Sequence, residues 1–248
     1  MSSTIDPSNI IPKYYQLANI IKQQIENGTF PAYTAIPSER QIEEHYSLSR
    51  PTIRQAIDIL ERQGYLYRVH GKGTFVSPPK LQKGILELTS FSEDMRNRGL
   101  EPGQEIIEYG EIKPPAKVAQ QLEMTDPDMK VLRIKRLRFG NKTPIGLQDS
   151  YLCLPAGQTI TREEIEARGS IYSILQEKFG LYPTEADETL EVTLATPEEA
   201  EMLQIPVGSP LLLNERRLWS QNRQAIEFVR ILYRGDRYKY FVRLTRKQ

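Results

Sequence analysis

Leu48-Ser49-Arg50-Pro51-Thr52-Ile53-Arg54-Gln55-Ala56, then Gly64-Tyr65-Leu66, then Gly71-Lys72-Gly73-Thr74-Phe75-Val76: these stretches decide the first part of the fold. Ser49 is a helix N-cap residue type, and Pro51 is tolerated in the first turn, where its missing amide has no helical partner. Ile53, Ala56, Ile57 and Leu60 fall on one stripe at helical spacing, and Gly64 supplies the stop. Beyond Gly64 the period changes. Tyr65–Val69 and Thr74–Val76 are aromatic and β-branched, and His70-Gly71-Lys72-Gly73 holds the glycines a tight hairpin needs. Upstream, Ser38-Glu39-Arg40-Gln41 is a capping-box pattern that opens a helix running to about His45. Before it, Leu17, Ile20, Ile21 and Ile25 recur at helical spacing and Gly28 follows as a stop. Helix, helix, short turn, helix, hairpin is the order of a winged helix-turn-helix.

The rest of the chain has another pattern. Ser77-Pro78-Pro79-Lys80 is the clearest punctuation, because two successive prolines continue neither a helix nor an interior strand. The expected division is a winged domain over 11–78, a linker over 79–84 and a second domain over 85–248. Strand-like runs at 131–139 and 143–153 flank Gly140-Asn141, another pair at 210–219 and 224–233 flanks Gln221-Asn222, and 238–245 adds a further strand. Helices are expected over 91–98, 115–123, 171–179 and 197–203, the last with Thr196 as cap and Pro197 at its first position. Antiparallel hairpins interrupted by helices make the fold class α+β.

Composition sets outer limits. The 248 residues, 39% hydrophobic and 26% charged, suit an ordinary globular protein. A single cysteine, Cys153, excludes an intramolecular disulfide framework and favours a reducing compartment. Neither a signal-peptide pattern nor an apolar run of membrane-spanning length stands out, so a cytoplasmic protein is expected. Residues 1–80 hold nine Lys or Arg against seven Asp or Glu, a surplus too small to argue nucleic-acid binding by itself. That case rests on where individual charges sit.

With the apolar stripe of the third helix turned inward, Pro51, Thr52, Arg54 and Gln55 lie outward or on the flank near its start. A recognition helix presents its N-terminal residues to base edges in the major groove. Arg54 is suited to forking onto guanine O6 and N7, and Thr52 to a thymine methyl or a phosphate. Arg50 and Arg40, near two helix starts, suit phosphate oxygens. His70, Gly71, Lys72 and Gly73 form a tip for the DNA backbone or minor groove.

These motifs, with Pro37-Ser38-Glu39-Arg40, resemble the GntR superfamily of bacterial repressors over most of 11–78. The resemblance implies operator contacts at Arg40, Ser49, Arg50, Thr52 and Arg54 and at the wing tip His70–Gly73. Leu88-Thr89-Ser90-Phe91-Ser92-Glu93-Asp94-Met95 with Arg98-Gly99, and the closing Tyr233-Arg234-Gly235-Asp236-Arg237-Tyr238, resemble the effector domain of its HutC branch, called UTRA. A chorismate-lyase-like fold of mixed antiparallel sheet and helices is implied, binding a metabolite and carrying a homodimer interface.

In the strand from Val131, period 2 sets Leu132, Ile134, Arg136 and Arg138 on one face. Inward-facing guanidinium groups are costly without an anion, so a phosphate or carboxylate ligand suits them. Surface ion pairing is the other reading of the same arginines. Thr89 and Ser90 are placed to help hold the anion, and Phe91 lies in the same motif. Ser170 and Tyr172 resemble pocket positions of the family. Glu227 and Tyr233 share a strand face and suit sugar hydroxyls or an amide, a core tyrosine being the alternative. Gln148 stands where amino-sugar-sensing relatives commonly carry Glu. The expected function is a DNA-binding regulator, a repressor released by a small anionic effector such as a phosphorylated sugar or amino sugar, with operator DNA as partner and no cofactor, metal or membrane. A lyase-like enzyme, or a regulator sensing a small carboxylate, stands as the alternative; the second domain holds no histidine, the commonest general acid–base.

Overall fold

The first helix, α1, spans Lys13–Glu26 and buries Leu17, Ala18, Ile20 and Ile21 along one side, with Ile25 at the margin. In the computed structural model, which describes residues 4–6, 8–77, 81–84, 88–126 and 128–241, the chain forms two units, Met1–Lys80 and Leu81–Gln248. In the first unit α1 is followed by α2 (Glu39–Tyr46), α3 (Arg50–Arg62), β1 (Leu66–Val69) and β2 (Gly73–Val76). Ser38 caps α2 with both halves of the capping box, its hydroxyl accepting from the Gln41 amide and its own amide donating to the Gln41 side chain. Removing the hydroxyl should therefore be felt locally: Ser38→Ala is expected to lower the unfolding free energy of the first unit by about 0.5–2 kcal/mol. Chemical denaturation followed by far-UV circular dichroism checks it.

Ser47 ends α2 in the left-handed region, which turns the chain sharply before α3. From α3, Ile53, Ala56, Ile57 and Leu60 are all buried, joining α1, Ile36, Ile42, Leu48, Leu66 and Val76 in one core. β1 and β2 pair antiparallel from Leu66↔Val76 to Val69↔Gly73, and Gly71 and Gly73 take positive φ at the tip. Ala35 adds a bridge to Phe75.

The second unit begins with β3 (Leu81–Gly84), α4 (Phe91–Asn97), β4 (Pro102–Ile112) and α5 (Ala116–Gln121). Then come β5 (Val131–Gly140), β6 (Thr143–Leu152), α6 (Arg162–Arg168) and α7 (Ile171–Phe179). β7 (Pro183–Leu194), α8 (Pro197–Leu203), β8 (Pro210–Ser220), β9 (Ala225–Arg234) and β10 (Tyr238–Phe241) complete it. Six strands make one antiparallel sheet in the order β4-β5-β6-β9-β8-β7. The α+β class is as expected. Asn141 and Lys142 both take positive φ, the conformation a two-residue hairpin turn requires.

Three expectations change. Residues 81–84, read as linker, form a strand that pairs parallel with β10, from Tyr238↔Leu81 to Phe241↔Gly84. The final strand is shorter than 238–245, ending at Phe241; 242–248 lie outside the described residues, as do 78–80 and 85–87. Finally, the sheet gains β4 and β7, which the sequence reading left without structure. Both lie at its edges, where Glu105, Glu108 and Glu111 on one and Glu185, Asp187, Glu188 and Glu191 on the other dilute the apolar alternation. Charged side chains on edge strands are a common guard against unwanted pairing.

Candidate functional site

On the first unit, the residues expected to meet DNA lie around the starts of α2 and α3 and at the hairpin tip. Arg40, Ser49, Arg50, Pro51, Arg54, Gln55, His70, Gly71, Lys72 and Gly73 are exposed and Thr52 is half-buried. Ser49 occupies the N-cap position in extended conformation, but its hydroxyl makes no cap bond and lies 2.8 Å from the Thr52 hydroxyl. The expected side-chain cap of α3 is thus corrected. Two hydroxyls are instead paired beside the uncapped amides of α3, where a phosphate oxygen finds donors. Each nearby arginine already meets a carboxylate of α2: Arg40 with Glu44, Arg50 with Glu43 and Arg54 with Glu39. Sequence reasoning did not foresee these pairs, because Arg50–Glu43 and Arg54–Glu39 join different helices.

In the second unit all ten residues expected to bind the effector line one cavity on one face of the sheet: Thr89, Ser90, Phe91, Arg136, Arg138, Gln148, Ser170, Tyr172, Glu227 and Tyr233. β5 supplies Arg136 and Arg138, β6 places Gln148 opposite Arg136, and β9 supplies Glu227 and Tyr233. Ser90 and Phe91 come from the start of α4, Ser170 and Tyr172 from the start of α7. The reading of the arginines as surface ion pairs fails, since both are only 2% exposed. Among the described residues neither has a carboxylate within ion-pairing distance.

What they have instead are neutral acceptors. Gln104 on β4 accepts from both, at 3.0 Å from Arg136 and 2.8 Å from Arg138. Arg138 also donates to the Ser92 hydroxyl at 3.2 Å and lies over the Phe91 ring at 4.3 Å. The Nε atoms of both arginines are buried without a partner. Burial pushes the Arg136 guanidinium down to about 10 against weak support from Glu227; burial and the neighbouring Arg136 charge hold Arg138 well below its ordinary value. Two cations thus share an interior site that an anion would relieve.

The neighbouring strands bring chemistry of the opposite kind to the same cavity. Gln148 donates to the Ser150 hydroxyl at 3.1 Å and leaves its Oε1 buried and unpartnered; Glu227 Oε1 is likewise unpartnered. Burial raises the Glu227 carboxyl above its ordinary range, a shift reduced by the Ser150 hydroxyl and by Arg136, Arg216 on β8 and Arg138. Residues 136, 138, 148 and 227 therefore bring two cations and two unpartnered acceptor oxygens to one cavity.

Sequence reading missed Arg216, Gln104 and Ser92. Arg216 on β8 is 4% exposed, pairs with Glu188 at 3.0 Å and donates to the Tyr172 hydroxyl at 3.1 Å and the Thr89 carbonyl at 3.2 Å. The signal was there: Arg216 has the same strand parity as buried Leu218, just as Arg136 has that of Ile134. Thr89 enters through its backbone carbonyl, a role no side-chain argument reveals. Tyr233 is both cavity lining and core, stacking on Tyr238 with ring centres 3.9 Å apart.

Comparison with known proteins follows this division. Residues 13–76 match the gntR family of bacterial regulatory proteins and 97–239 match the UTRA domain. The transcriptional repressor NagR of Bacillus subtilis is 36% identical, covering 95% of this chain and 96% of that repressor. The histidine utilization repressor of Pseudomonas putida is 31% identical, over 92% of this chain and 90% of the repressor. Among solved structures, PhnF of Mycobacterium smegmatis superposes with a TM-score of 0.63 at 26% identity, over 94% and 99% of the two chains. The chain belongs to the GntR family of transcription regulators, in its UTRA-containing HutC branch. It is a DNA-binding regulator, and the lyase-like alternative is not favoured, since these relatives are repressors along nearly their whole length. Among the described residues no helix is long and apolar enough to cross a membrane.

Proposed function

We propose that the protein is a cytoplasmic, homodimeric repressor whose operator affinity falls when a phosphorylated sugar or amino sugar occupies the second unit. The observation that carries this reading is the pair of buried guanidinium groups at Arg136 and Arg138, which have no carboxylate within ion-pairing distance among the described residues. A phosphate dianion matches two adjacent forks better than any neutral group. The unpartnered oxygens of Gln148 and Glu227 belong to the lining of the same cavity and ask for hydroxyl or N–H donors, which a sugar carries. A plain small carboxylate would leave them unmet.

The cavity measures about 30 Å³, room for about two water molecules. A hexose phosphate enters only if the lining opens, so binding selects a different conformation of this unit, as a ligand-driven switch requires. Dimerisation is supported by β7, an edge strand that exposes Val192 and Leu194. Two winged units would then occupy the half-sites of a near-palindromic operator.

A thermal-shift screen against hexose phosphates, amino-sugar phosphates, their unphosphorylated forms and small dicarboxylates tests the proposal. A ligand at 100 times its dissociation constant should stabilise the protein by about 2.7 kcal/mol. The same compound should release the operator duplex. Stabilisation by the unphosphorylated sugar as large as by its phosphate would overturn the anion assignment.

A further inference from the structure

A carboxylate on a surface that meets a polyanion weakens binding, because it repels phosphates and offsets part of the counterion release that drives association. Glu39, Glu43 and Glu44 nevertheless each hold an arginine of the DNA-facing side. Arg40–Glu44 is an i,i+4 pair with both side chains mostly exposed, the kind of surface pair that contributes little. Arg54–Glu39 differs. Its members are fifteen residues apart, Glu39 the first residue of α2 and Arg54 the fifth of α3, and both Glu39 oxygens accept from the same nitrogen, Arg54 Nε, at 3.3 and 3.0 Å. The Glu39 side chain is 33% exposed, against 64% for Glu44. It stands directly after Ser38, whose capping box with Gln41 fixes that turn.

Holding Arg54 by Nε leaves both terminal nitrogens without a protein hydrogen bond among the described residues. A guanine edge is read by two parallel N–H groups in one plane, so the plane of the guanidinium decides whether the contact forms. A long side chain left free on a helix surface loses about 0.5–1.5 kcal/mol when it is immobilised on binding. We propose that Glu39 is a positioning residue for sequence readout: it presents the terminal nitrogens of Arg54 to the base edge and lowers affinity for DNA of any sequence. The proposal rests on the reading of Arg54 as a base-contacting residue.

Its signature is two effects of opposite sign, which a structural lesion cannot give. The full chain is measured by fluorescence anisotropy at fixed salt against three probes: a duplex enriched from a random-sequence library, its single-base-pair variants, and an unrelated duplex. Glu39→Ala should lower discrimination at the base pair Arg54 reads by about 3- to 10-fold. Binding to the unrelated duplex should stay unchanged or tighten by up to about 3-fold. Glu39→Gln keeps an acceptor for Nε and should retain discrimination to within about 2-fold of the parent. In an Arg54→Ala background, Glu39→Ala should cause no further loss of discrimination. If Arg54→Ala leaves every base-pair preference intact, the reading of Arg54 falls and this proposal with it. If Arg54→Ala loses a preference that both Glu39 variants keep, the positioning role alone is overturned. Equal weakening on all three probes by both Glu39 variants also overturns it.

Discussion

Arg138→Met should give a protein that is more stable than the parent and no longer answers its effector. The side chain is buried beside a second cation; among the described residues its acceptors are Gln104, Ser92 and the Gly169 carbonyl, and its Nε is unmet. Methionine fills a similar volume, lies against Phe91 and removes one interior charge without stranding Gln104, which still accepts from Arg136. Replacing poorly compensated buried charge with apolar groups is often stabilising by about 1–4 kcal/mol; about 1–3 kcal/mol is expected here, since the ring contact and the hydrogen bonds are also lost. Chemical denaturation without ligand measures the gain. In the presence of the compound that stabilises the parent, the variant should show neither a thermal shift nor release from DNA, while its operator affinity stays the same. A variant that is destabilised and still responds would mean that the arginine is structural and the anion sits elsewhere.

That prediction depends on a site whose residues were largely readable in advance, and the reason is physical. Period 2 along β5 forces Arg136 and Arg138 onto the face already claimed by Leu132 and Ile134, so burial of the apolar pair drags the charges inside. The winged unit was legible for a similar reason: a capping box, an apolar stripe and two hairpin glycines are local signals that need no tertiary knowledge. Where such signals were weak, reading failed. Acidic edge strands β4 and β7 owe their conformation to neighbours already in the sheet, and β3 exists because β10 arrives from the far end of the second unit. Gln104 was unreadable since it lies on one of those edge strands. Glu39 looked like part of a helix start, and only the crossing of α2 and α3 brings it to Arg54.

Arg54→Ala should abolish preference at one base pair of each half-site, costing about 1–3 kcal/mol on the preferred operator and little on an unrelated duplex. The asymmetry follows from position. Arg54 is the fifth residue of α3, one turn in from its start and on the side away from Ile53, Ala56 and Ile57, with its terminal nitrogens unengaged among the described residues. Arg50, by contrast, sits at the N-terminus of α3 beside the Ser49–Thr52 hydroxyl pair, which suits phosphate oxygens and carries no sequence information. Arg50→Ala should therefore weaken every duplex alike and reduce the slope of log affinity against log salt by about one. The two variants remove the same charge from successive turns of one helix, so a purely electrostatic face would make them indistinguishable. Salt titrations of both, on the preferred and the unrelated duplex, separate the cases: parallel losses with equal slopes would remove Arg54 from base recognition. Divergent behaviour, with the preference lost for one and the salt slope reduced for the other, would assign reading and anchoring to two arginines one turn apart on a single helix.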